Sequence, residues 1–250
     1  MRVAVAGGTG WSGKRVAASL RARGHQPVVL SRSTGVDLTT GHGLDERLDG
    51  VEAVIDVSNV VTRSAAEAVR FFEAATSHLL RAEQRAGIGH HVVLSIVGCD
   101  RVDLGYYFGK RRQEELVLGG PVPVTVLRAT QFHEFAAQML RSREPVVRVP
   151  RMRSQPVALT EVADHLADLA TGEALGRAPE MGGPEPDLWM DDMVSRLATV
   201  RGDDRLLERA DMPDDVARQI NDGGLLPTAP GPRGRITFGE WLRSPDAQDP

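Results

Sequence analysis

Apolar positions in the first 130 residues fall into two alternating patterns. Short apolar runs at residues 3–6, 27–31 and 51–57 have the length and composition of strands, and the last is apolar enough to be buried on both faces. Between them lie longer stretches with helical spacing. Residues 11–23 place Val16, Ala17 and Leu20 on one face and stop at Gly24, residues 65–86 stop at Gly87, and residues 106–118 repeat the pattern. Further strands are expected at 36–38, 91–96 and 124–128, with a short helix at 43–48. Strands that alternate with helices in this way predict an α/β fold, a Rossmann-type doubly wound parallel sheet with right-handed crossovers. In such sheets ligands sit at the carboxyl ends of the strands.

Beyond residue 130 the pattern loosens. It predicts a helix over 131–143, strands at 146–149 and 155–159, a helix that Thr160 caps and that runs to 169, and a helix over 190–200. Residues 223–234 are rich in Gly and Pro and read as a loop, before 236–242 close with Phe238 and Trp241. The division expected is a Rossmann domain over 1–150, with strands also contributed by later segments. Residues 151–250 then form a smaller C-terminal substrate lobe that is not an independent domain.

Composition narrows the partners. The chain has 250 residues, is 41% apolar and 26% charged, and carries a formal charge of −4, as a soluble globular protein does. This balance gives no electrostatic footprint for nucleic acid, and no apolar run reaches the roughly 20 residues of a membrane span. The N-terminal residues read as a strand and its turn rather than as a leader. Cys99 is the only cysteine, so a disulfide framework and a cysteine zinc site are both excluded. A cytoplasmic protein acting on a small molecule, as monomer or homodimer, is expected. Of the 30 basic residues only Lys14 and Lys110 are lysine. Lys110 falls within five positions of the only two tyrosines, Tyr106 and Tyr107.

Gly7-Gly8-Thr9-Gly10-Trp11-Ser12-Gly13 follows the first strand and opens the first helix. Glycines at this spacing permit a tight turn, close approach of backbone N–H groups to a pyrophosphate, and close packing of helix on strand. The helix N-terminus adds unpaired donors and a positive dipole end, and Thr9 and Ser12 add hydroxyls. An NAD site places an acid at the end of the second strand, whereas an NADP site places a cation there for the 2′-phosphate. Here that strand ends in Ser31-Arg32-Ser33 with no acid beside it, so NADP(H) is expected in preference to NAD(H). Asp37 is expected near the adenine edge, and Ser58 and Asn59 along the cofactor.

Tyr106 and Lys110 form a Tyr-x-x-x-Lys pair, which on a helix shares one face. An ammonium beside a phenol favours phenolate and makes the tyrosine a proton carrier for a carbonyl or alcohol. Lys110 could also hold a ribose, and Ser95, at the end of a strand, could orient the same substrate oxygen. With the glycine turn, Leu94-Ser95-Ile96-Val97-Gly98, Tyr106 with Lys110, and Leu127-Arg128-Ala129-Thr130-Gln131-Phe132 in place, the chain resembles an atypical short-chain dehydrogenase/reductase of the NmrA-like, NAD(P)H-binding branch. The resemblance spans the first half, and Gln155-Pro156-Val157 and Glu161-Val162-Ala163 extend it weakly. It implies that Ser95, Tyr106 and Lys110 match the Ser–Tyr–Lys triad. It also implies that Arg128 to Gln131, Thr130 among them, line the nicotinamide end, with Gln131, Phe132 and His133 towards substrate.

Three functions follow from these residues. The first is an NADPH-dependent reductase of a carbonyl or quinone-like small molecule. The second is an NADP(H)-sensing regulator without turnover, and the third an epimerase or dehydratase with transient hydride transfer. No His or acidic spacing resembles a metal site. Arg111-Arg112 with Glu114-Glu115 reads as a solvated helix face, Cys99 as a buried thiol, and Trp189, Met190 and Met193 either as the lining of a substrate pocket or as a core stripe.

Overall fold

In the computed structural model, residues 1–248 are described. The chain begins with β1 (Arg2–Ala6), α1 (Trp11–Ala22), β2 (Gln26–Leu30), a 3₁₀ turn at Arg32–Thr34, α2 (Leu44–Leu48), β3 (Ala53–Asp56) and α3 (Ala65–Ala86). It continues through β4 (His90–Ile96), α4 (Gly105–Leu118), β5 (Val124–Ala129), α5 (Glu134–Leu140), β6 (Val146–Val149), β7 (Arg153–Ser154) and α6 (Leu159–Ala170). The rest is β8 (Gly176–Arg177), β9 (Leu188–Trp189), α7 (Met190–Arg201), β10 (Leu206–Arg209), α8 (Asp214–Gln219), a π turn at Ile220–Gly224, α9 (Phe238–Trp241) and α10 (Pro245–Gln248).

The central sheet has the order β2-β1-β3-β4-β5-β8, and every pair in it is parallel. Strand side chains alternate between its two faces. Val3, Val5, Ile55, Val92, Leu94 and Leu127 meet α1 and α6, whereas Ala4, Val54, Val93 and Val126 meet α2, α3 and α4. The reversal of connection between β1 and β3 opens a crevice at the carboxyl ends of the strands. A third apolar cluster covers that end, built from α5, β6, α7 and α9 around Met190, Met193, Phe238 and Trp241. Trp11, Ile96, Leu104 and Tyr106 pack against it from the sheet side.

Three expected elements differ. Residues 36–38 form no strand: only the bridge between Asp37 and His42 appears, because Gly35, Gly41 and Gly43 all take positive φ and fold the chain back on itself. Residues 155–159 contribute one bridge, Phe132 with Val157, and the strand lies earlier, at β7. The helix after β5 is α5 alone, shorter than its apolar pattern.

Candidate active site

The glycine turn is built as its sequence requires. Gly7 takes φ +78°, and its N–H donates to Leu30 O across 3.0 Å. A Cβ on Gly13 would stand 2.3 Å from Gly7 O and 2.5 Å from Gly8 Cα, so only glycine lets α1 approach this closely. Gly10 caps α1 without any side-chain hydrogen bond, and Thr9 and Gly10 are exposed. The first turn of a twelve-residue helix thus offers open donors to an anion. This cradle fits the pyrophosphate of a dinucleotide.

At the adjacent end of β2, Ser31 Oγ and Ser33 Oγ lie 2.9 Å apart. Arg32 is exposed beside them, and its side chain makes no hydrogen bond or ion pair among the described residues. Asp37 accepts from Thr39 N at 2.8 Å and from Thr39 Oγ1 at 2.6 Å. These bonds, the hydroxyl's above all, hold its carboxyl below the usual range. Ser58 sits directly under the turn, since a Cβ on Gly7 would be 2.9 Å from Ser58 Cα. Its N–H donates to Asp56 Oδ1 across 2.8 Å.

The three expected reacting residues are not brought together. Tyr106 O–H donates to Asn59 Oδ1 at 2.6 Å. Burial, then the neighbouring Tyr107 and the charge of Asp56, push the Tyr106 pKa up. Lys110 does not meet the phenol. Its Nζ donates to Leu94 O at 2.7 Å and to Gln113 Oε1, and lies 4.7 Å from the Phe72 ring centre. Gln113 Nε2 in turn donates to Asp56 Oδ2 at 2.9 Å. Burial lowers the lysine's pKa, against the pull of Asp56. The side chain follows its helix into the α3–α4 layer, where a carbonyl and an amide oxygen can satisfy the ammonium.

Ser95 also departs from its expected place. Its hydroxyl donates to Glu114 Oε1 at 2.5 Å, on the face of the sheet that α4 covers. Ile96, the next residue, packs towards the apolar cluster instead. Glu114 is buried rather than solvated, and Arg128 grips it with Nε at 2.9 Å and Nη2 at 2.7 Å. Burial opposes its ionisation, yet hydrogen bonds from Arg128, Ser95 and Arg177 hold the carboxyl down to about 2. Cys99 belongs to the same pocket, and burial followed by the Glu114 charge raises its thiol to about 11.

The expected substrate stretch divides between regions. Thr130 Oγ1 donates to Gln155 O at 2.6 Å. Gln131 is buried, with Nε2 3.4 Å from the Tyr107 hydroxyl and Oε1 without a partner. Phe132 instead packs on the cluster under α1 and α6. His133 is fully buried against Phe238 and Trp241, with Nε2 3.0 Å from Ile236 O. It therefore belongs to the core and not to a substrate surface. Three residues missed by sequence reasoning, Asp56, Gln113 and Glu114, hold this arrangement in place. Asp56 carried a usable signal, being an acid at the end of an otherwise apolar strand.

This is a Rossmann-type architecture, a parallel sheet with a glycine turn at its first crossover. More narrowly, the same fold is found in proteins of the short-chain dehydrogenase/reductase superfamily. A superfamily member from Agrobacterium tumefaciens, solved with bound NAD, is similar over 99% of this chain and 97% of its own, at TM-score 0.69 and 19% identity. An NADPH-dependent quinone oxidoreductase from Escherichia coli is similar over 96% of this chain and 98% of its own, at TM-score 0.65 and 16% identity. A UDP-glucose 4-epimerase from Stenotrophomonas maltophila, with bound NAD, is similar over 97% and 96%, at TM-score 0.72 and 14% identity. No protein-family model matches the chain, and no curated protein matches it either. Among the described residues no helix is long and apolar enough to cross a membrane.

Proposed function

We propose that the chain is an NADPH-dependent reductase of a carbonyl or quinone-like small molecule. The observation that carries this reading is the placement of Tyr106. Its phenol hydrogen-bonds to the residue that follows Ser58, and Ser58 underlies the glycine turn. A proton carrier and a dinucleotide cradle therefore share one crevice. Exposed Arg32, with no acid at its position, supports NADP(H) over NAD(H). Apolar side chains flank the same crevice, namely Trp11, Ile96 and Leu104, and they suit a flat, weakly polar substrate better than a nucleotide-sugar.

A reduced nicotinamide supplies a hydride when bound. Gly10 and the first turn of α1 would hold its pyrophosphate, and Arg32 the 2′-phosphate. Tyr106, kept neutral by its surroundings, would donate its proton to the substrate oxygen as that oxygen gains charge. Ser95 and Lys110 take no direct part, because both are committed elsewhere. Screening a panel of naphthoquinones and aromatic aldehydes for NADPH oxidation tests the reading. Tyr106→Phe should lower kcat by about 100-fold or more, and unchanged turnover in that variant sinks it.

One observation favours a cofactor-responsive regulator instead. Two members of the expected triad, Ser95 and Lys110, are tied into buried networks. That reading requires tight NADP(H) binding together with no turnover on any member of the panel.

A further inference from the structure

Tyr106 lacks the cationic neighbour that its sequence spacing promised, and what it has instead is an amide. Asn59 stands just beyond β3 on a firmly held loop. Val57 N–H donates to Ala6 O at 3.0 Å, Ser58 N–H donates to Asp56 Oδ1 at 2.8 Å, and Ser58 Cα lies under Gly7. The tyrosine ring is fixed too, edge-on to Phe72 at 5.7 Å and to Tyr107 at 6.4 Å between ring centres. Two rigid supports thus hold the phenol and the amide 2.6 Å apart.

We propose that Asn59 is the positioning residue for Tyr106 and serves both of its protonation states, in place of a lysine. An amide carries an acceptor oxygen and two N–H donors on one rotatable group. In the resting protein Oδ1 accepts the phenol's O–H and keeps the oxygen aimed into the crevice. When the O–H bond breaks and the proton moves to the substrate oxygen, the electron pair stays on the phenolate. Rotation of the amide then turns Nδ2–H towards that oxygen, so a donor faces the new charge. No ammonium is required, and Lys110 is free to remain in its buried network. This proposal rests on the reductase reading above and names a residue on which that reaction depends.

Two substitutions of nearly the same size separate the two roles. Asn59→Asp keeps an acceptor for the neutral phenol but offers no donor to the phenolate. Asn59→Leu removes both. With only two tyrosines in the chain, Cζ-labelled tyrosine gives two ¹³C signals, assigned by Tyr107→Phe. At neutral pH the Tyr106 signal should keep its wild-type position in Asn59→Asp and move in Asn59→Leu. With NADPH and a naphthoquinone, both variants should lose at least tenfold in kcat, while the Kd for NADPH stays within about threefold of wild type. A Tyr106 signal unmoved in Asn59→Leu overturns the proposal, as does wild-type kcat in Asn59→Asp. A rise in Kd with kcat intact at saturation makes Asn59 a cofactor contact only, and also overturns it. If the wild-type chain binds NADPH but turns over nothing, the reductase reading fails together with the catalytic role, and the ¹³C signals then decide only whether the resting contact exists.

Discussion

The Ser95 hydroxyl stands 2.5 Å from Glu114 Oε1, on the face of the sheet that α4 covers. Ser95 and Tyr106 thus bond to different partners, the serine to Glu114 on α4 and the phenol to Asn59 beyond β3. Strand alternation is the cause. Ser95 follows Val93 onto the α4 face, and Ile96 takes the side that meets the apolar cluster. The serine therefore completes a carboxylate's hydrogen-bond set, with Arg128 on both carboxylate oxygens. Ser95→Ala should leave kcat within about twofold of wild type and cost about 1.5–3 kcal/mol of stability, the usual loss for one hydrogen bond to a charged group. Urea unfolding alongside steady-state turnover checks both halves. A large fall in kcat with stability intact would return Ser95 to the reaction.

Glu114 should make stability depend on acid. Its carboxyl titrates at about 2 in the folded chain, against about 4.3 when unfolded. A depressed carboxyl contributes stability that is complete above the unfolded value and disappears as pH falls towards the folded one. Its side chain is only 3% exposed, and removal leaves Arg128 partly unpaired. Glu114→Gln should therefore cost on the order of 3 kcal/mol at pH 7. By pH 3 the gap between variant and wild type should have narrowed. An equal gap at both pH values would show that the ion pair is not its source.

The glycine turn predicts two substitutions with different signatures. Gly13→Ala drives a methyl against backbone on two sides, Gly7 O and Gly8 Cα, and neither can yield without moving the turn. It should cost about 2 kcal/mol or more and lower NADPH affinity at least tenfold. At Gly10 the nearest atom to an added Cβ is 3.3 Å away, so Gly10→Ala should stay within about 1 kcal/mol of wild type. Its exposed methyl should still weaken the cofactor. Thermal melts with and without NADPH separate the two effects.

How much of this was legible in the sequence follows from what each residue interacts with. The glycine turn could be read because its requirements are local: a strand before, a helix after, and backbone too close for side chains at Gly13. The alternation of strands and helices along the first 130 residues followed from apolar period in the same way. The partners of Ser95 and Lys110 could not be read, since each depends on which side of a strand or helix meets a distant neighbour. Gln113 lies three residues from Lys110 yet belongs to Asp56, on another element. Glu114 looked solvated beside Arg111, Arg112 and Glu115, and its burial is compensated by Arg128 on β5, Ser95 on β4 and Arg177 on β8. His133 was drawn into the core by Phe238 and Trp241, about a hundred residues further along.

Lys110 should behave as a buried structural cation. Lys110→Met leaves Leu94 O and the Gln113 amide oxygen without their donor, at a cost of about 1–3 kcal/mol. The Tyr106 ¹³C signal and the Kd for NADPH should change little. Because burial lowers the lysine's folded pKa, the unfolded chain binds more protons in the interval below the ordinary lysine value. Wild-type stability should therefore gain from this group as pH rises towards about 10.4. The variant should lack that gain, which urea unfolding at pH 7 and pH 10 measures. A tenfold loss of NADPH affinity in Lys110→Met would mean instead that the ammonium leaves its network to hold the cofactor.

Arg32 should decide between the two nicotinamide dinucleotides. Its guanidinium is exposed at the start of the 3₁₀ turn after β2, where Ser31 and Ser33 already pair with one another. Asp37, the nearest acid in sequence, lies five residues on and has one carboxylate oxygen engaged by Thr39. A forked cation in this position recognises a phosphate through charge-assisted hydrogen bonds. Arg32→Ala should raise the Kd for NADPH about 10- to 100-fold, the equivalent of roughly 1.5–3 kcal/mol for such bonds. The Kd for NADH should stay within about twofold. Because the site is exposed, wild-type preference for NADPH should also shrink as salt is raised, and the variant's smaller preference should respond less. Isothermal titration with both dinucleotides at low and high salt makes the comparison. Equal losses for NADPH and NADH would place Arg32 outside the 2′-phosphate site and remove the main support for NADP(H).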